Sequence, residues 1–167
     1  MKKESLKMAL SFLAVTLLVI ADQVTKKLAV MYLKGTNGID LIKGILKLQY
    51  LENFGAAFGI LQNATWLFLI MTLILLGMFI WLMYKIPFTK HFLPMHVLLV
   101  FFMAGAIGNF IDRFLHAYVI DFIYVSLIDF PIFNVADIYV TCSCIAFAIY
   151  IIFFYKEEEF SFLKRRH

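Results

Sequence analysis

Between Gly108 and Asp137 the chain sets Asp112, Arg113, Asp121 and Asp137 directly against two of its most apolar segments. Asn109, Asp112 and Arg113 close one apolar run, Asp121 lies in the connection, and Asn134 and Asp137 open the next. An ionisable group at a bilayer edge is costly to keep unless it is paired, solvated or used, which makes each of these a candidate for function. Asp121 and Asp137 have the most chemistry to offer. Two carboxylates held close together cannot both ionise cheaply, so they share a proton, leaving one as base and the other as acid. Such a pair can activate water against a peptide carbonyl with no metal and no covalent intermediate. The plainer reading of Asp137 is structural: with Asn134 as N-cap it falls at the third helical position, where a carboxylate favours the helix dipole.

The neighbouring charges also have plain readings. Asp112 beside Arg113 reads as a local ion pair capping the third apolar run, and Asp22 with Lys26, spaced i and i+4, reads as an intrahelical pair. Arg113 keeps a second option, because its planar fork can hold a peptide carbonyl or a lipid ester oxygen. Zinc hydrolysis needs about three ligands, and of the four histidines only His116 falls on the side of the aspartates. A serine scheme from His116, Asp121 and Ser126 lacks anything like a nucleophile elbow. Cys142 and Cys144 point to different helix faces within an apolar run and read as core thiols rather than a disulfide.

These residues must be held by a membrane scaffold. The 167-residue chain is 63% hydrophobic and 16% charged, against about 25% charged in ordinary soluble domains. Residues 8–21, 64–84, 93–111 and 138–155 contain no Asp, Glu, Lys or Arg. Spans are expected at about 8–27, 64–84, 93–111 and 135–155, within one domain covering 1–167. A basic start followed by an apolar run resembles a signal peptide, but no small-x-small site follows and the helical pattern continues to about Leu33. Residues 35–63 alternate polar and apolar positions around several glycines, which predicts a small sheet on the membrane surface. The expected fold class is therefore all-α membrane protein, four transmembrane helices with a small β-sheet on the membrane surface.

Charge distribution orients the scaffold. Lys2, Lys3, Lys7, Lys85, Lys90, Lys156, Lys164, Arg165 and Arg166 fall on one side, and Lys26, Lys27, Lys34, Lys43, Lys47 and Arg113 on the other. The positive-inside rule then makes both termini cytoplasmic and turns the sheet and the aspartates outward. The net charge of +4 is spent on flanking apolar runs, not clustered as a nucleic-acid surface would require. No carboxylate on the outer side sits near mid-membrane, where carriers and proton relays keep theirs.

Five motifs, in order, carry a resemblance: Asp22-Gln23-Val24-Thr25-Lys26, Asn53-Phe54-Gly55-Ala56-Ala57-Phe58, Gly105 to Arg113 (Gly-Ala-Ile-Gly-Asn-Phe-Ile-Asp-Arg), Val119-Ile120-Asp121-Phe122 and Phe133-Asn134-Val135-Ala136-Asp137. Together they resemble the prolipoprotein signal peptidase family, also called signal peptidase II, of bacterial membranes. The resemblance implies four transmembrane helices with a small extracytoplasmic β-sheet cradle. It implies a globomycin-sensitive aspartic endopeptidase of the bacterial cytoplasmic membrane that cleaves diacylglyceryl-modified prolipoproteins before the lipid-modified cysteine. It implies Asp121 and Asp137 as catalytic pair, and Asn53, Gly108, Asn109, Arg113 and Asn134 as substrate-binding positions. Asp22, Lys26 and Asp112 would support the site, with no cofactor or metal. The expected partners are prolipoprotein substrates and membrane lipids, with no nucleic acid and the protein a monomer. Phe54, Phe58 and the segment from Phe122 to Phe133 are expected to cover the site. One departure is Ala104, where the family commonly has the first glycine of a Gly-Gly pair. The competing reading is a small permease or assembly subunit whose edge charges only fix topology. In such a protein Asp121 and Asp137 have no need to converge.

Overall fold

The computed structural model describes residues 2–55, 64–156 and 158–160 of the chain. Four helices carry it: α1 (Lys2–Leu33), α2 (Thr65–Lys85), α3 (Leu93–His116) and α4 (Val135–Phe153). All four are long and apolar enough to cross a membrane. Three strands form a small antiparallel sheet in the order β1 (Ile39–Ile42), β2 (Leu46–Asn53) and β3 (Val119–Tyr124). The sheet draws two strands from the expected region and a third from the connection between α3 and α4. Asp121 therefore sits on a strand, opposite Leu51 of β2, where backbone pairing fixes its position better than a loop would. The motif residues 56–58, Phe58 among them, lie outside the described residues.

Helix α3 is the hub. Half of its most apolar window is buried, against 11% for each of the other three helices, whose apolar surfaces face outward as lipid-facing spans do. Small residues make this possible. A side-chain carbon at Gly105 would lie 2.5 Å from the Ala136 carbonyl oxygen of α4, and one at Gly108 would lie 2.5 Å from Oδ2 of Asp22 on α1. Both helices thus approach the α3 backbone closely, and Ala104 is fully buried without opening the contact. Helix α3 also runs past Asp112 and Arg113 to His116, ending at Ala117 in the left-handed conformation (φ 66). The two charged residues lie inside the helix and do not cap it.

Two apolar clusters lock the frame. Val15, Met83, Ile86, Met95, Leu99 and Met103 pack the bundle towards the start of α1. Ala29 and Leu33, at the far end of α1, pack under Ile120 and Phe122 of β3, so α1 supports the strand that carries Asp121. Cys142 and Cys144 are free and exposed, which corrects their reading as core thiols. Helix α4 buries only Ala136 and Ser143, so an apolar position on it does not imply a core position.

Candidate active site

The six polar side chains of the site come from four elements. Asn53 ends β2, Asn109 and Arg113 lie in the last turns of α3, Asp121 is on β3, and Asn134 caps α4, which carries Asp137 in its first turn. The cap is complete. Asn134 Oδ1 accepts from the Asp137 backbone N–H at 3.0 Å, and Asp137 Oδ2 accepts from the Asn134 N–H at 3.0 Å. The structural reading of Asp137 is therefore correct, and it leaves Oδ1 for other work.

That oxygen accepts from Asn109 Nδ2 at 2.8 Å. Asp121 accepts from Asn134 Nδ2 at 2.7 Å on Oδ1 and from Asn53 Nδ2 at 2.8 Å on Oδ2. Asn134 thus bridges the two aspartates, which line one cavity of about 460 Å³ with Asn53, Asn109, Arg113 and Phe130 to Phe133. The aspartates converge, and a protein whose charges only set topology has no need of that.

The three asparagines have no freedom to turn over. Each carbonyl oxygen is held by a group that can only donate: the Gly55 N–H on Asn53 at 3.0 Å, the Asp137 N–H on Asn134, and the Lys26 ammonium on Asn109 at 2.9 Å. Every side-chain amide must then present its NH₂ to a carboxylate. An aspartate in any of these places would set oxygen against oxygen.

Lys26 is 1% exposed and uses all three ammonium donors, on Asp22 Oδ2 at 2.9 Å, Asp112 Oδ2 at 3.0 Å and Asn109 Oδ1. Asp22 also accepts from the Ala136 N–H of α4 at 2.9 Å, and Asp112 from the Ile120 N–H beside Asp121 at 3.0 Å. This cluster ties the elements bearing both site aspartates to α1. It also overturns the local Asp112–Arg113 pair. Asp112 is taken by Lys26, Ile120 and Gln23. Arg113 instead donates to the Gly55 carbonyl at 3.0 Å and stacks 4.5 Å over the Phe68 ring of α2.

Asp121 is 1% exposed. Burial pushes its carboxyl up to about 7, with Asp137 adding to the push against the lowering effect of the Asn53 and Asn134 amides. It is poised to hold a proton near neutrality. Its oxygens are occupied by asparagines and His116 stacks on Tyr118, so the described residues do not assemble a His116, Asp121 and Ser126 triad.

Other contributors were not singled out from sequence. Gln23 donates to Asp112 at 2.9 Å and to the Gly108 carbonyl at 3.2 Å, and its place between Asp22 and Lys26 was the available signal. Thr141 and Cys142 line the cavity one turn below Asp137, and nothing in an apolar run marks them. Phe54 packs on Tyr118, whereas Phe130 and Phe133 wall the cavity, in line with a covering segment.

Comparison with known proteins agrees with the geometry. The family model for signal peptidase (SPase) II matches residues 14–153. Lipoprotein signal peptidases of Streptococcus pyogenes serotype M5 (strain Manfredo) and serotype M18 (strain MGAS8232) are each 39% identical over 155 residues, covering 93% of this chain and 99% of theirs. A bacterial membrane enzyme solved by the in meso method at 2.3 Å superposes with a TM-score of 0.78 at 34% identity, covering 95% of this chain and 94% of its own. A second, solved at 1.9 Å, gives 0.76 at 36% identity, covering 88% and 95%. A bundle of four apolar helices with acidic groups gathered where its spans end, together with likenesses of this extent, places the chain in the signal peptidase II family.

Proposed function

We propose that the chain is an aspartic endopeptidase that removes signal peptides from diacylglyceryl-modified prolipoproteins, cleaving before the lipid-modified cysteine, with Asp121 and Asp137 as its catalytic dyad. The observation that carries this reading is the bridging of the two aspartates by Asn134 at one cavity. A diacylglyceryl group would anchor the substrate in lipid and hold the scissile bond near headgroup depth, which is the depth of residues at the ends of spans. The exposed apolar flank of α4 below Asp137 offers a surface for the signal helix, and Phe130 to Phe133 exclude water from one side.

In this mechanism Asp121 starts protonated and Asp137 ionised, the latter favoured by a backbone N–H and the start of α4. Asp137 takes a proton from water as its oxygen bonds to the carbonyl carbon, and Asp121 gives its proton to the carbonyl oxygen. Asp137 then passes its proton to the amide nitrogen while Asp121 recovers one from the tetrahedral intermediate. The C–N bond breaks, releasing the signal peptide as a carboxylic acid and the cysteine with a free amine. Asn53, Asn109 and Arg113 line the wall that receives the substrate. Gly108, packed against Asp22 and Ala136, and Asn134, buried between the aspartates, do not line the cavity and support it from behind, which corrects their reading as substrate-binding positions. Arg113, held by Gly55 and Phe68, keeps further guanidinium donors for a substrate carbonyl.

The test is cleavage of a purified prolipoprotein with and without its diacylglyceryl group, across pH. The lipid-modified form is the one cut. Because Asp121 is raised to about 7, it is protonated below that pH and ionised above it, so kcat/KM falls about tenfold per unit on the alkaline side. A profile flat through pH 9 would mean that Asp121 holds no essential proton.

The basic-residue bias supports placing both termini in the cytoplasm and the dyad near the outer face. Reporter fusions after Lys47 and Tyr124 are then external and those after Lys85 and Lys164 internal. An internal signal at Lys47 reverses the orientation.

A further inference from the structure

At the end of the bundle opposite the aspartates, a groove of about 650 Å³ opens between α1 and α3. Its wall is apolar, formed mainly by Leu10, Ala14, Leu17, Val97, Val100 and Phe101, and its mouth carries Lys7, Ser11, Thr89 and Lys90. Among the described residues no carboxylate lines it. Lys7 is fixed at the mouth, donating one N–H to the Phe88 carbonyl at 3.0 Å and lying 5.6 Å over the Phe88 ring. Its other two donors have no partner among the described residues. Lys90 is exposed and makes no ion pair among the described residues. At the base of the mouth His96, 2% exposed, stacks on Phe88 and bonds the Ile86 carbonyl through Nε2, leaving Nδ1 without a partner among the described residues.

We propose that this groove binds an anionic phospholipid of the leaflet on the side of the chain termini, one acyl chain lying along the wall and the phosphate seated between Lys7 and Lys90. Length supports the assignment. From Lys7 to Leu18, α1 rises about 16 Å, close to half of a hydrocarbon core of about 30 Å, so the groove is one leaflet deep. Charge supports it as well, since two lysines at a mouth that no carboxylate lines among the described residues select an anion. A soluble anion would leave the apolar wall unfilled, and a neutral lipid would leave the lysines unmatched.

Native mass spectrometry of the purified full chain, titrated in detergent with dioleoylphosphatidylglycerol or dioleoylphosphatidylcholine, reads the preference directly. The wild-type protein retains the glycerol lipid over the choline lipid. Lys7→Gln and Lys90→Gln each lower that preference by roughly fivefold, and Ala14→Phe, which fills the wall, lowers retention of both lipids. Lys85→Gln serves as control: it lies at the same end but does not line the groove, and it leaves the preference unchanged. All four variants keep wild-type cleavage of the lipid-modified prolipoprotein in detergent, which certifies their fold and separates this site from the dyad. Equal losses in Lys85→Gln and Lys7→Gln overturn the proposal in favour of diffuse surface attraction. An unchanged preference in the double variant Lys7→Gln/Lys90→Gln overturns it outright.

Discussion

Asp121→Asn and Asp137→Asn each lower turnover of a lipid-modified prolipoprotein by roughly 10³ or more, and the double variant is little worse than either single one. One general acid or base role is worth about 10² to 10⁴ in rate, and two roles that exchange the same proton are lost together. The hydrogen bonds add a structural consequence. All four dyad oxygens accept from donors, three of them asparagine amides held in one orientation. Replacing a carboxylate oxygen by NH₂ therefore sets donor against donor, at a cost of about 1–3 kcal/mol. For Asp121 a second effect opposes this. Its folded-state value of about 7 lies above the unfolded value of about 3.9, so the wild-type protein loses stability as pH rises between the two. Asp121→Asn has no such loss, and its melting temperature gains on the wild type between pH 4 and 8. Melts in detergent at both pH values, alongside turnover, separate chemistry from folding. A folded Asp137→Asn that cleaves at near-normal rate would reduce Asp137 to the helix-start residue it also is.

How much of this was legible in the sequence differs from element to element. The four spans were plain because uncharged runs of about 20 residues have few other uses. Their ends were not. Asp112 and Arg113 look like terminators of an apolar run, but neutralisation by Lys26 from another helix lets α3 continue past them to His116. The third strand was hidden because Val119 to Tyr124 is short and pairs with residues far earlier in the chain, from Lys47 opposite Tyr124 to Asn53 opposite Val119. Asp22 and Lys26 were correctly paired by spacing, yet spacing cannot reveal that Asp112 and Asn109 share the same ammonium. Arg113 was misassigned for the same reason, its neighbour in sequence being already claimed. The motifs hold the asparagines and aspartates gathered at the cavity, and the geometry supplies what the motifs could not, a reason for asparagine at three separate positions.

Lys26→Met is the second large effect, and it falls first on stability. The substitution keeps the length of the side chain and removes the charge, stranding Asp22 and Asp112, which are 0% and 2% exposed. Breaking a buried pair by removing one partner costs about 3–5 kcal/mol, because a charge is left uncompensated, and a typical fold has only about 5–15 kcal/mol to lose. The melting temperature in detergent drops accordingly. Removing a carboxylate as well should recover part of the loss: Asp22→Asn keeps an oxygen for the Ala136 N–H while deleting one stranded charge, so Lys26→Met/Asp22→Asn melts above Lys26→Met alone. Activity then reports the second role of the lysine. Without its donor the Asn109 oxygen keeps only the Asn134 amide at 3.1 Å, and Asn109 loses the contact that aims its NH₂ at Asp137. Turnover of the stabilised double variant therefore stays well below wild type, with its pH profile displaced, although the fold has been regained. If the double variant recovers stability, full turnover and the wild-type profile together, Lys26 is a buried counter-ion and has no part in aligning the dyad.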